Sequence, residues 1–179
     1  MSPQWIARIV KRLQLLAILL VDFVAFATPF GRQHWGDAAL SFAAFFAGAL
    51  LFISLALIPS WETLAPKAYL ETFAAFLPFA DPMTPLLGAS AFAFMLAVIA
   101  RNWNQALVPA MGVAIGAFLC VFALSLAVNL PINRRVLRGR DSLSAEEIVN
   151  LRNRWAMGHR ARTVAGVVAF FALLAALGR

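Results

Sequence analysis

Charged side chains are scarce in this chain: they make up 13% of its 179 residues, against 63% hydrophobic ones, and the mean hydropathy is +0.83. A soluble domain carries about twice that share of charge. The excess of apolar residues therefore needs a second, apolar solvent, and lipid supplies it. Acids are rarer still, 8 against 15 bases. The resulting +7 lies between apolar runs instead of forming one patch, so membrane topology accounts for it and no nucleic-acid partner is expected. Cysteine is almost missing. Cys120 is the single one and lies in an apolar run, which excludes an internal disulfide and a cysteine metal cluster. The two histidines, His34 and His159, are far apart and expected on opposite membrane faces, which argues against a haem or metal centre. There is no phosphate-binding loop, nucleophile elbow or dinucleotide fingerprint.

Five apolar stretches are present, at 13–30, 38–58, 85–100, 107–130 and 163–177. A span needs about 20 mostly apolar residues. The second and fourth reach that length, and the third and fifth are expected to extend into their flanks. Asp22 interrupts the first, and Pro29-Phe30-Gly31 ends it. That stretch also has the layout of a signal peptide: Arg8, Lys11 and Arg12, then an apolar run, then Ala25-Phe26-Ala27 as a cleavage site. Its retention as a helix is expected. In both cases the chain reaches residue 31 on the far side of the membrane.

Basic residues orient the chain. With all five stretches crossing and the N-terminus in the cytoplasm, twelve bases fall inside, eight of them arginines between 134 and 162. Three, Arg32, Arg101 and Arg179, fall outside. That is the asymmetry of the positive-inside rule. Trp5, Trp35, Trp61, Trp103 and Trp155 all fall at or just beyond stretch ends, where indoles anchor at headgroup level.

Two connections are long enough for structure of their own. In 59–84, Leu64, Ala68, Phe73 and Phe76 suggest a short amphipathic helix over 65–79 lying at the interface. Pro131 is expected to stop the fourth helix. Ser144-Ala145-Glu146-Glu147 reads as a capping box opening a last helix that runs from the cytoplasm into the membrane, with Gly158 its weak point. Gly112 and Gly116 form a small-xxx-small pattern for close helix packing.

Chemistry concentrates on that last helix. Arg152, Trp155, His159 and Arg162, spaced by 3, 4 and 3, share one face where the helix enters the bilayer. They suit an anionic or phenolic group, with His159 moving a proton. The alternative is that arginines and an indole there simply serve headgroups. Asn129 and Asn133 stand at the same depth on the fourth segment, and a buried amide there should face the bundle, the alternative being a helix-stop signal built from Asn and Pro. Asp22, an intramembrane acid, is functional by default, a partner for Arg32, or the tail of a signal peptide.

The pattern Asn129-x-Pro131-x-Asn133, followed some twenty residues later by Arg154-Trp155-x-x-x-His159-x-x-Arg162, resembles the anthrone oxygenase-like family. These are small membrane proteins, most bacterial members being of unknown function. Gly48, Pro59 and Pro85 extend the resemblance to roughly 38–178, leaving 1–37 as an addition. It implies four membrane helices and, from the fungal members, oxidation of an anthrone to an anthraquinone without a known metal or flavin. It further implies His159 and Arg162 as catalytic residues, and Asn129, Asn133, Arg154 and Trp155 as substrate-binding ones.

The fold expected is all-α, a polytopic transmembrane bundle: an N-terminal membrane helix in 1–37 and a four-helix domain over 38–179. The expected location is a bacterial inner membrane, with the N-terminus and 131–162 cytoplasmic. Expected partners are membrane lipids and an apolar aromatic small molecule, with no cofactor. The competing function is a non-enzymatic membrane protein that binds lipid or quinone, or an assembly subunit. The two differ in whether His159 and the asparagines converge on an enclosed pocket or face lipid.

Overall fold

The computed structural model describes residues 3–28, 31, 34–102, 109–139 and 142–178. They form five helices: α1 (Pro3–Ala27), α2 (Trp35–Glu62), α3 (Pro66–Arg101), α4 (Pro109–Gly139) and α5 (Ala145–Ala176). The last four are long and apolar enough to cross a membrane, as an all-α polytopic bundle requires, and they fit an integral membrane protein. α1 is not among those four. It carries Lys11, Arg12 and Asp22 along its length.

Two hairpins, α2–α3 and α4–α5, make the bundle, and α5 also packs along α2. α3 and α4 barely touch. One buried cluster, from Ala39 and Phe42 through Phe94 and Phe118 to Leu173, fills the apolar half. A second, with Trp61, Tyr69, Phe73, Val136, Ile148 and Trp155, fills the end that bears the basic residues. α1 lies against the first half. Trp35 donates through Nε1 to the Ala25 carbonyl at 3.0 Å, and Phe26 stacks on Phe94 at 4.5 Å. Ile18 and Val21 face Phe42, Phe45 and Leu87. α1 therefore packs mainly on α3 and runs antiparallel to α2. Asp22 accepts from Ser90 Oγ at 2.7 Å, while Arg32 lies outside the described residues.

Two expectations about helix ends at prolines need correction. The interfacial helix expected over 65–79 and the span expected from 85 are one continuous helix, α3, despite Pro78, Pro82 and Pro85. Its 36 residues reach about 54 Å at 1.5 Å per residue, well beyond a hydrocarbon core of about 30 Å. Each proline removes an N–H, but Tyr69, Leu70, Phe73, Ala74 and Leu77 are buried in the second cluster and hold the helix in line. Thr84 Oγ1 also donates to the Ala80 carbonyl at 3.1 Å. Nor does Pro131 end α4. A π turn at Ser125–Asn129, with Leu130 N–H bonded to the Ser125 carbonyl five residues back, widens the helix just before the ring. α2 repeats the device, with a π turn at Ile53–Leu57 two residues before Pro59.

Other expectations change on packing grounds. The capping box is present, with Glu147 N–H donating to Ser144 Oγ and Ser144 N–H to Glu147 Oε2. Gly158, however, is a close approach: a Cβ there would lie 2.8 Å from Val128 Cγ1 and 3.2 Å from Asn129 Oδ1. At Gly112 and Gly116 a Cβ would meet nothing within 4 Å, so within this chain they mark no close packing. Trp61 and Trp155 do not lie open at a headgroup surface. Both are buried in the second cluster, 6.0 Å apart by ring centroid. Trp103 lies outside the described residues.

Gly158→Ala should lower stability by about 1–3 kcal/mol through overpacking, whereas Gly116→Ala should be neutral or slightly stabilising. Thermal unfolding in detergent measures both, and equal losses would mean that the outer face of α4 is covered. For sidedness, Arg138→Cys and Asn102→Cys in a Cys120→Ala background should label from opposite faces. On the charge argument, position 138 should be protected from an impermeant reagent added outside.

Candidate functional site

The polar groups of α4 and α5 meet inside the bundle. On α5, residues 155, 159 and 162 share the inner face, and each finds partners on another helix. His159 is fully buried between α2 and Arg162. Its Nε2 is 3.2 Å from the Leu50 carbonyl, and its Nδ1 receives the Arg162 guanidinium, from Nε at 3.1 Å and Nη2 at 2.8 Å. A carbonyl only accepts and a guanidinium only donates, so the ring is the Nε2–H tautomer with its Nδ1 lone pair on Arg162. Arg162 Nη1 reaches the Ser125 hydroxyl in the α4 π turn at 3.2 Å. Next to His159, Thr163 Oγ1 lies 2.7 Å from Ser54 Oγ in the α2 π turn. The segment 159–163 is thus held between the two wide turns.

A second chain of bonds starts at Trp155, which stacks on His159 with centroids 4.9 Å apart and planes 16° from parallel. Its Nε1 donates to Asn133 Oδ1 at 2.8 Å, and Asn133 Nδ2 donates to Asp81 Oδ1 on α3 at 2.8 Å. Asn129 Nδ2 donates to the Trp155 carbonyl at 3.1 Å. The carboxylate of Asp81 and the guanidinium of Arg162 attract each other electrostatically. Charged groups this far inside an apolar bundle persist only when paired and hydrogen-bonded.

Between α3 and α4, where those helices diverge, is a pocket of about 280 Å³. Phe46, Pro85, Val121, Phe122, Leu126 and Leu130 supply its apolar surface. Asp81, Thr84, Ser125, Asn129, Asn133 and Arg162 supply the polar groups. A mostly apolar cleft with a few convergent polar groups is the usual form of a small-molecule site.

Each residue singled out from the sequence has a definite place. Asn129, Asn133 and Arg162 line the pocket, and Trp155 and His159 stand behind that wall, bonded to it. Arg154 is exposed and is not brought to the cluster, because two positions' rotation from Arg152 carries it off the inner face. Arg152 turns inward, donating from Nη1 to the Leu64 carbonyl at 3.1 Å and lying over the Tyr69 ring, which closes the end of α2. His34 is exposed beside Asp37 at 3.0 Å, and Asp22 belongs to the α1–α3 contact, so neither reaches the pocket. Asp81, Thr84 and Ser125 were not anticipated. The available signal for Asp81 was an acid among the closely spaced prolines 78, 82 and 85. Among the described residues no three His, Cys, Asp or Glu side chains are grouped to hold a metal.

Fold and site together define a small helical membrane protein with a mostly apolar pocket on which a few polar groups converge. The chain belongs to the anthrone oxygenase family, whose sequence profile it matches over residues 70–172. The match is narrower than the 38–178 expected: it takes in most of α3, all of α4 and α5 to Ala172, and omits α2. No curated protein and no solved structure matches the chain.

Replacing His159 by Leu should cost about 2–4 kcal/mol, because it leaves the Leu50 carbonyl without its ring donor and takes an acceptor from Arg162. Unfolding in detergent measures the loss. Imidazole 15N shifts of the wild type should report the Nε2–H tautomer, and an Nδ1–H tautomer would contradict this arrangement.

Proposed function

We propose that the pocket binds an apolar aromatic molecule bearing a carbonyl or phenolic oxygen and that the protein oxidises it with dioxygen, as an anthrone is oxidised to an anthraquinone. The observation that carries this reading is the Arg162 guanidinium, fixed by His159 and Ser125 on the wall of an otherwise largely apolar pocket. A preset cation in a water-poor site stabilises an oxyanion far more than water does. The ketone oxygen of an anthrone becomes such an oxyanion when its methylene loses a proton. The electron-rich anion then reacts with dioxygen directly. One oxygen atom becomes the new carbonyl on the former methylene carbon, and the other leaves as water with both methylene hydrogens.

The low contact between α3 and α4 supports entry of a hydrophobic substrate between them from the bilayer. Family membership supports the reaction class. We further propose that the basic end of the bundle faces the cytoplasm of a bacterial inner membrane, which sets the pocket near that face.

Purified protein in lipid nanodiscs, given anthrone in air, should take up one dioxygen per quinone formed, faster than empty nanodiscs. Arg162→Gln should slow this by roughly 100-fold. Tight binding of anthraquinone without any turnover of anthrone would instead identify a quinone-binding protein.

A further inference from the structure

We propose that Asp81 is the proton acceptor of this pocket and that His159 is a positioning residue for Arg162. The inference rests on the reading above and deepens it by assigning the proton transfer to one residue of the pocket wall.

The assignment follows from elimination along the pocket wall. Arg162 is a cation and has no acceptor, and Asn129 and Asn133 are amides without basic character. The hydroxyls of Thr84 and Ser125 donate to carbonyls of their own helices, Ala80 at 3.1 Å and Val121 at 2.7 Å. His159 is off the wall, and both of its ring nitrogens are engaged, one with the Leu50 carbonyl and one with Arg162. To accept a proton it would have to release the guanidinium that stabilises the product anion. Asp81 brings the one carboxylate among the residues that line the pocket, the only lining group with a basic oxygen, and it is held in place. Asn133 bonds Oδ1, and Trp155 bonds Asn133 in turn, so α5 fixes the carboxylate on α3 through α4.

The chemistry needs two separate groups. In an anthrone the methylene and the carbonyl face each other across the central ring, so a base at one and a cation at the other must come from different parts of the wall. In the step, the methylene C–H bond breaks and the Asp81 carboxylate takes the proton. The electron pair moves through the ring to the carbonyl oxygen, opposite Arg162. Dioxygen accepts electrons from that anion and bonds to the carbon, and protonated Asp81 returns its proton to the peroxide. Loss of water with the second C–H hydrogen then gives the new carbonyl.

The test uses full-length protein in nanodiscs with anthrone as the probe. Without oxygen, in heavy water, the wild type should speed methylene hydrogen exchange above buffer, and Asp81→Asn should remove roughly 100-fold of that rate or more. Asp81→Glu should keep part of it, and formate should restore part of it to Asp81→Ala. Anthraquinone binding, read by tryptophan quenching, should change less than about threefold in Asp81→Asn, which shows an intact pocket. His159→Gln should keep exchange at a reduced rate. Asp81→Asn that still binds anthraquinone and keeps most of the exchange would overturn the assignment, as would a wild type no faster than buffer. Exchange in the wild type without oxygen uptake would support Asp81 as the base while removing the oxygenase reading.

Discussion

A guanidinium inside an apolar bundle must be satisfied by its own protein, because the hydrocarbon around it offers nothing. Arg162 is that group, and much of the surrounding architecture follows from meeting its demand. His159 gives up its Nδ1 lone pair to it and hands its own N–H to the Leu50 carbonyl. Ser125 supplies a hydroxyl from α4, and Asp81 an opposing charge from α3. All four core helices are therefore tied to one turn of α5. Two arrangements serve that turn: the π turns beside it, and the glycine at 158 that lets α4 approach α5 closely.

The pocket is the complement of this tie. α5 lies against α4 along most of its length and against α2 as well, while α2 takes α3. α3 and α4, neighbours in the chain, touch little, and the opening falls between them. Arg162 and Phe46 form part of its wall from α5 and α2, so the cavity has a cation on a largely apolar wall. That pairing favours an apolar molecule with one oxygen on which charge can develop. The family match covers α3, α4 and α5 almost entirely, which are three of the four helices that line the pocket. α2 supplies the carbonyl that holds His159 although it lies outside the matched residues.

How far the site was legible depended on whether its signal was local. The spacing of Trp155, His159 and Arg162 places them on one face of any helix, and Asn129 and Asn133 share a depth with them by simple counting from the span. Arg154 carries the same motif but points off that face, a difference helical rotation explains. Asp81 stayed hidden for a physical reason. Three prolines in eight residues, 78 to 85, read as the end of one element and the start of another, which puts an acid between them in solvent. Burial of Tyr69, Phe73 and Leu77 against Trp61 and Trp155 carries the helix straight through, and the acid becomes part of the bundle.

Composition and periodicity were enough to fix an all-α membrane-crossing chain, the capping box at Ser144, and the long last helix that follows it. These depend on contacts within a few residues, or on transfer from water to lipid, and both are properties of a segment alone. Which prolines break a helix, which glycines are crowded, and whether a tryptophan faces headgroups or the core depend on what another segment places alongside. Pro131, Gly116 and Trp155 differ from expectation for that reason. The pocket is of the same kind: it exists because α3 and α4 diverge, and no segment records that divergence in its own residues.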